Sequence, residues 1–302
     1  MENRAHMMCC ASCGIAGGDD IKLKDCSACH LVRYCGIECQ KDHRPQHKKD
    51  CKKRAAELRD ELLFKQPESS HLGDCPICCL PLPLDPEKYT LNSCCCKIIC
   101  DGCNYVNQKR EIEGRLENKC AFCRTIMPKT KEENKEQVMK RIEANDTVAL
   151  CHMGTTKCDK GDYRAAFDYW TRAANLGDAI SHYQLSVMYR GGIFVEKDEK
   201  KELHHLTEAT IARHPKARYN LGCLEGDNGQ YDRATKHWII GAKLGHDMSM
   251  EGVNILYEAV LVSHEDFAVV LRGHQAAIAA IKSPQREEAA NFFAEREKRG
   301  AD

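Results

Sequence analysis

A cysteine-rich stretch between Cys75 and Cys123 decides how this chain of 302 residues folds. It reads Cys75-Pro-Ile-Cys78-Cys79, then Cys94-Cys95-Cys96-Lys97-Ile98-Ile99-Cys100-Asp101-Gly102-Cys103, and finally Cys120-Ala121-Phe122-Cys123. Three pairs of these cysteines have two residues between the two sulfurs, and this spacing lets a tight turn direct two thiolates at one tetrahedral zinc ion. With the cysteines between them, the pairs supply enough ligands for two zinc ions.

This arrangement resembles a RING finger, a family whose ligand pairs alternate between two zinc ions. The resemblance implies that one zinc ion is bound by Cys75, Cys78, Cys100 and Cys103. It implies that the other is bound by Cys120, Cys123 and two of the three neighbours Cys94, Cys95 and Cys96. The family usually has a histidine where Lys97 falls, so a neighbouring cysteine must replace it, and the sequence leaves open which two of the three bind.

The distribution of cysteines indicates zinc binding rather than disulfide bonds. Of the 21 cysteines, 18 lie at or before Cys123, most of them in closely spaced pairs.

The N-terminal residues contain no apolar signal region, and no apolar run is long enough to span a membrane, so we expect a reducing compartment, cytoplasmic or nuclear. With 45 basic and 45 acidic residues, the chain is not expected to bind nucleic acid or a membrane surface.

A second cysteine cluster precedes the first, in the order Cys10-x2-Cys13, Cys26-x2-Cys29, Cys35-x3-Cys39 and His47-x3-Cys51. Residues four apart share one face of a helix, so the last two pairs are expected on short helices. This order resembles the MYND-type zinc finger, whose pairs interleave. The resemblance implies one zinc ion on Cys10, Cys13, Cys35 and Cys39, and another on Cys26, Cys29, His47 and Cys51. His43 is a rival ligand, but only His47 has the helical spacing to Cys51.

The ligand count therefore predicts four Zn²⁺ ions, all in closed sites. A site filled by four protein ligands leaves no position for water, which indicates a structural and not a catalytic metal. MYND resemblance implies recognition of short proline-containing peptides. The basic run Lys48–Arg54 could serve as a nuclear import signal or a nucleic-acid contact, although a solvated helix end explains it better because Asp42 and Asp50 interrupt the basic residues.

Beyond residue 148 a repeating helical pattern replaces the cysteine pairs. The stretch from Tyr163 to Gly177 matches the stretch from Tyr231 to Gly245, including the tryptophans Trp170 and Trp238. A partner helix precedes each stretch, so repeats start near Ala149, Ser181, Ala217 and Ser249, a period close to that of tetratricopeptide repeats. The helix pairs resemble SEL-like repeats, which implies a curved solenoid whose concave face binds proteins or peptides.

The predicted fold is multidomain: two small cross-brace zinc modules followed by an all-α helical-repeat solenoid. The predicted segments are a MYND-type finger (1–52), a helical linker (53–74), a RING-like finger (75–127), a charged linker (128–147), SEL-like repeats (148–284) and a charged C-terminal helix (285–302).

Two functions from different classes fit this organisation. The first is a non-enzymatic adaptor that binds proteins or peptides through the MYND finger and the repeat groove, and no catalytic side chain is predicted. The alternative is a RING-type ubiquitin-protein ligase in which the other modules recruit substrate. RING resemblance implies that Ile77 and Arg124 contact a ubiquitin-conjugating enzyme. Ala121 stands where the family commonly has a contact proline.

Overall fold

The computed structural model describes residues 8–300, with side chains through residue 295. The chain divides into two compact units, Met1–Lys65 and Gln66–Asp302. No helix in the described residues has the length and apolarity needed to cross a membrane.

The first unit combines a two-stranded sheet with one long helix. Strand β1 (Lys24–Asp25) pairs antiparallel with β2 (Arg33–Tyr34), and helix α1 spans Ile37–Leu63. The expectation of separate short helices is wrong, because α1 runs unbroken through Pro45 and continues into the segment predicted as a linker. Proline removes one helix hydrogen bond. The predicted ligands Cys39 and His47, on either side of Pro45, lie on this one helix.

In the second unit, residues 75–127, called the RING-like module below, fold around a β-hairpin and a helix. A short 3₁₀ turn at Pro86–Lys88 leads into β3 (Tyr89–Asn92), which pairs antiparallel with β4 (Lys97–Cys100). Helix α2 (Asp101–Glu113) follows β4 directly. Leu82 and Ile99 pack among the cysteines Cys75, Cys100 and Cys103 to form a small core.

Helices make up the rest of the described second unit. They are α3 (Lys131–Glu143), α4 (Thr147–Asp159), α5 (Tyr163–Asn175), α6 (Ala179–Gly191), α7 (Glu199–Ile211), α8 (Pro215–Asp227), α9 (Tyr231–Lys243), α10 (Asp247–Glu258), α11 (His264–Ala280) and α12 (Pro284–Gly300). Helices α4 to α11 pack as four consecutive pairs, α4/α5, α6/α7, α8/α9 and α10/α11.

Each of these four pairs starts with the same kind of turn. A residue with positive φ ends the preceding helix, and the next residue, in extended conformation, begins the new one. The turns are Asn145–Asp146, Gly177–Asp178, Arg213–His214 and Gly245–His246. At Asp178 the carboxylate accepts a hydrogen bond from the Ser181 N–H at 2.6 Å, which caps helix α6.

Close contact between glycine and tryptophan holds the helices of a repeat together. A side chain on Gly154 in α4 would place its Cβ 2.5 Å from the Trp170 ring, and one on Gly222 in α8 would come within 2.7 Å of the Trp238 ring. Trp170 is buried, and both tryptophans occupy the matching position of their repeats. This geometry gives both tryptophans a role in core packing.

Two segments outside the repeats contribute to packing more than their charged sequences indicate. The segment predicted as the charged linker 128–147 contains helix α3, whose Val138 and Ile142 are buried in the same core as Cys96 and Leu150. The segment predicted as the charged C-terminal helix packs against α2 of the RING-like module, with Phe292 on Tyr105. In each segment a few apolar residues make these contacts, among them Val138 and Ile142 in α3 and Ala289 and Phe292 in α12.

Candidate metal centres

The structure gathers the predicted ligands into four groups, and within each group the possible ligand atoms all lie within 4.8 Å of one another. Groups one and two, in the first unit, are Cys10/Cys13/Cys35/Cys39 and Cys26/Cys29/His47/Cys51. Groups three and four, in the RING-like module, are Cys75/Cys78/Cys100/Cys103 and Cys94/Cys95/Cys120/Cys123. These are the ligand sets that the resemblances to the MYND finger and the RING finger imply. Of the three neighbours Cys94, Cys95 and Cys96, the first two belong to the fourth group.

Four of the ligand pairs lie on the same kind of turn. These pairs are Cys10/Cys13, Cys26/Cys29, Cys75/Cys78 and Cys120/Cys123. The residue after each of them has positive φ and donates its backbone N–H to the carbonyl of the first cysteine at 2.9–3.0 Å. The four positive-φ residues are Gly14, His30, Cys79 and Arg124. This turn aims both sulfurs of a pair to one side, so a single local conformation supplies one pair to each of the four groups.

Helices supply the remaining ligands of groups one to three. Cys100 lies at the N-cap of α2 and Cys103 in its first turn. At the start of α1, Cys39 lies in the first turn and Cys35 directly precedes the N-cap residue Gly36. The positive end of a helix dipole favours thiolates. Further along α1, His47 directs its Nε2 to within 3.2 Å of the Cys29 sulfur. The rival His43 instead lies 3.1 Å from the Tyr34 hydroxyl.

The turn of the β3–β4 hairpin separates the three adjacent cysteines. Cys94 lies 3.3 Å from the Cys123 sulfur and Cys95 lies 3.9 Å from the Cys120 sulfur, so both face the fourth group. Cys96 has a positive φ, which turns its side chain away from that group and into the core beneath helix α3. Spacing alone could not reveal this division, because the three residues are consecutive.

The sulfur geometry suits zinc. Zinc–sulfur bonds of about 2.3 Å in a tetrahedron place sulfurs about 3.8 Å apart. The corresponding distances are 3.6 Å for Cys13–Cys35, 3.8 Å for Cys26–Cys51 and 3.7 Å for Cys78–Cys100. Thiolate and imidazole are also the ligands that structural zinc sites use.

Each group contains one thiol whose pKa is lowered and at least one whose pKa is raised. The hydrogen bond from Cys100 is the main cause that lowers the pKa of Cys75 to about 4, and the same bond raises the pKa of Cys100. In the other three ligand groups, burial of the thiol opposes ionisation. Hydrogen bonds from nearby backbone amides and side chains nevertheless lower the pKa to about 6 at Cys10, Cys26 and Cys123. A divalent cation would let the remaining thiols ionise.

Ile77 and Arg124, the predicted contacts for a conjugating enzyme, are both accessible. Ile77 is 41% exposed and the Arg124 side chain is 47% exposed. The Arg124 guanidinium donates to the Asn107 Oδ1 at 3.0 Å, and Asn107 donates in turn to the Lys119 carbonyl. Sequence reasoning did not single out Asn107, which lies on the face of α2 toward the fourth group.

Comparison with known families identifies two of the modules. Residues 10–51 match the MYND finger, and residues 149–178, 179–209 and 215–246 match the Sel1 repeat. The chain therefore contains a MYND finger and Sel1 repeats, as the sequence predicts. Both are generally protein-interaction modules. The four groups and the MYND match support zinc as the cofactor, with about four sites.

Comparison with individual proteins adds only distant neighbours. No curated protein matches the chain. A Sel1 repeat protein from Oxalobacter formigenes is 18% identical, with 60% of this chain and 73% of that one covered and a TM-score of 0.41. The protective antigen c5321 of uropathogenic Escherichia coli, which has an SLR fold, is 17% identical, with 65% and 40% covered and a TM-score of 0.39.

Proposed function

We propose that the protein is a zinc-containing adaptor that binds other proteins through its MYND finger and its repeat groove. Each of the four groups holds one zinc ion, and the zinc ions stabilise the two small modules. A closed set of four protein ligands leaves no site for a substrate, so the metals act on folding and not on chemistry.

The observation that supports this most is a cleft of about 970 Å³ in the second unit. One wall consists of the first helices of the repeats, with Val148, Ile180 and Tyr183. The opposite wall is the RING-like module, with Leu84 and Tyr89. Residues of the RING-like module and of the repeats therefore line one cleft, and a partner bound there would touch both.

The chemistry of the walls favours an extended, largely apolar segment of a protein. Apolar and aromatic side chains dominate the lining, and the charged ones are balanced, with Lys97 and Lys216 against Asp74 and Asp178. Clefts of this kind bind through apolar contact and use a few polar groups for orientation.

Two matched variants test the role of the cleft. Leu176 is 52% exposed and lines the cleft, whereas Tyr163 is 44% exposed and is not among the residues of the cleft wall. Immobilised wild-type protein should capture a reproducible set of proteins, which quantitative mass spectrometry would measure. Leu176→Glu should lose a subset of that set, and Tyr163→Glu, with the same change in charge, should keep it. Equal capture by both variants would contradict the cleft as the binding surface.

A ubiquitin ligase is the second candidate, and the exposure of Ile77 and Arg124 is the observation that favours it. A RING finger needs no catalytic side chain of its own, because it holds a charged conjugating enzyme in a reactive pose. Neither residue belongs to a ligand group, so replacing them should leave the zinc content unchanged.

An autoubiquitination assay with a panel of conjugating enzymes tests this candidate. The expected result is transfer by the wild-type chain that Ile77→Ala and Arg124→Ala each abolish. Transfer that survives both changes would reject this docking surface, and absence of transfer with every enzyme of the panel would leave the adaptor as the function.

A further inference from the structure

Helix α12 returns from the end of the repeats to the RING-like module and makes polar and apolar contacts there. Phe292 packs on Tyr105 of α2 with ring centroids 5.0 Å apart, and Ala289 is completely buried. The Glu288 carboxylate accepts hydrogen bonds from the Lys109 ammonium at 2.8 Å and from the Tyr105 hydroxyl at 3.3 Å. One face of α12 is thus fitted to one face of α2.

The guanidinium of Arg286 extends these contacts to the turn that carries the third metal group. Its Nη1 donates to the Pro81 carbonyl at 2.8 Å, and its Nη2 donates to the Leu80 carbonyl at 3.3 Å and to the Cys78 sulfur at 3.5 Å. Nη1 also donates to the Ile281 carbonyl at the end of α11, again at 2.8 Å. One side chain therefore joins the last repeat helix to the residues that follow the first ligand pair.

Gly102, between the ligands Cys100 and Cys103, makes room for this contact. A Cβ on Gly102 would lie 2.9 Å from the backbone nitrogen of Arg286, closer than such atoms approach in proteins. The backbone of α12 thus lies directly against the helix start that supplies two ligands of the third group.

We infer that Arg286 stabilises zinc at the third group, and that zinc binding there and docking of α12 strengthen each other. Four thiolates around one Zn²⁺ leave a net negative charge, and a guanidinium that donates to one of the sulfurs offsets part of it. Loss of the metal would free the turn after Cys78 to move. The Leu80 and Pro81 carbonyls would then no longer hold Arg286.

The RING-like module is consequently attached to both ends of the repeats, and the attachment through α12 depends on the metal. We call this second attachment the latch. At the first end, α3 and α4 share a core with Cys96 of the RING-like module. At the other end, α12 docks on α2. Removal of zinc from the third group alone should release the second attachment, and the cleft between module and repeats would lose one of its supports.

Zinc release from the full chain into a chromogenic chelator tests this inference. One zinc ion should leave the Arg286→Gln protein at a rate about 10-fold or more above the wild-type rate. An effect of this size is expected when a metal ligand loses a hydrogen-bond partner outside the coordination shell. Lys282→Gln is the matched control, because it removes the same charge from an exposed lysine four residues earlier. The control should release all of its zinc at the wild-type rate.

Hydrogen exchange provides a readout of the coupling in the opposite direction. Exchange of the α12 amides should accelerate in Cys75→Ser, and Phe292→Ala, which touches no ligand, should also speed zinc release. Wild-type release rates in both Arg286→Gln and Phe292→Ala would overturn the latch. The inference rests on the proposed zinc assignment, so a Cys75→Ser chain that keeps its full zinc content would overturn that assignment and the latch with it.

Discussion

Single residues decide which of several identical side chains binds metal. Cys95 and Cys96 are adjacent, yet one faces the Cys120 sulfur and the other is 4% exposed in the core with Val138 and Ile142. The positive φ of Cys96 produces this division. A backbone angle is not visible in a run of three cysteines, so the sequence could narrow the ligands of the fourth group only to two of three.

Cys95→Ser and Cys96→Ser should therefore have different effects. We expect Cys95→Ser to lower the zinc content by about one ion per chain, because a serine hydroxyl is a poor zinc ligand. Cys96→Ser should keep the full zinc content and cost about 1–3 kcal/mol of stability, because it buries a hydroxyl in an apolar core. Metal analysis and urea unfolding measure the two quantities, and zinc loss in Cys96→Ser would contradict the assignment.

A glycine in the repeats gives a second prediction at this scale. Gly154→Ala should destabilise the protein by about 1–3 kcal/mol, because its Cβ would overlap the Trp170 ring. Gly226→Ala in α8 is the control, since its Cβ would lie 3.7 Å from the Ala234 methyl, in ordinary contact. Alanine has the better helix propensity, so the control should gain up to about 1 kcal/mol. A stabilised Gly154→Ala protein would contradict the packing described.

At the scale of elements, ligand spacing and helical periodicity predicted most of the fold. The MYND finger is predicted by the spacing of the ligand pairs from Cys10 to Cys51. The repeats are predicted by the matching stretches around Trp170 and Trp238. The sequence did not reveal that α1 is one helix, because proline usually interrupts a helix and Pro45 lies inside this one. It also did not reveal the docking of α12, because that contact joins Arg286 and Phe292 to residues far away in the chain.

A stack of two histidines links the segment before the RING-like module to the repeats and predicts a pH dependence. His71 and His214 stack with centroids 4.3 Å apart, and burial lowers the pKa of His71 to about 4. The pKa of His214 is lowered well below its ordinary value by burial and by repulsion from His71. The His71 ring therefore stays largely neutral in the folded protein at pH 5, whereas in the unfolded chain it takes up a proton below about pH 6.5. The lowered pKa of His214 acts in the same direction.

Stability should consequently fall as the pH drops from 6.5 toward 4. The His71 shift alone corresponds to at most about 2 kcal/mol at pH 5. Urea unfolding at pH 7 and pH 5, followed by the fluorescence of Trp170 and Trp238, measures this loss. The variant His71→Phe keeps an aromatic ring but cannot take up a proton, so it should lose less stability than the wild type between pH 7 and pH 5. The control is His204→Phe, at an exposed histidine, which should lose as much stability as the wild type. An equal loss of stability in all three proteins would contradict the prediction.

At the scale of the whole molecule, the zinc modules and the repeats differ in what stabilises them. We expect the modules, which have small cores, to depend on metal, whereas the repeats bury apolar clusters made only of their own helices, such as the one around Trp170 and Leu185 and the one around Val253 and Val270. A strong chelator should abolish the helical signal of α1 and α2 and leave the tryptophan fluorescence of the repeats largely unchanged. Circular dichroism and fluorescence on one sample measure both, and collapse of the entire helical signal would show that the repeats need the metal.

The zinc content of the intact chain tests the central claim most directly, because every other conclusion about the modules depends on it. Native mass spectrometry of the 302-residue chain, with elemental analysis on the same sample, counts the ions per chain. Four closed groups predict a dominant species with four zinc ions. A dominant species with two would mean that one of the two modules is not a pair of zinc sites, and would contradict the account.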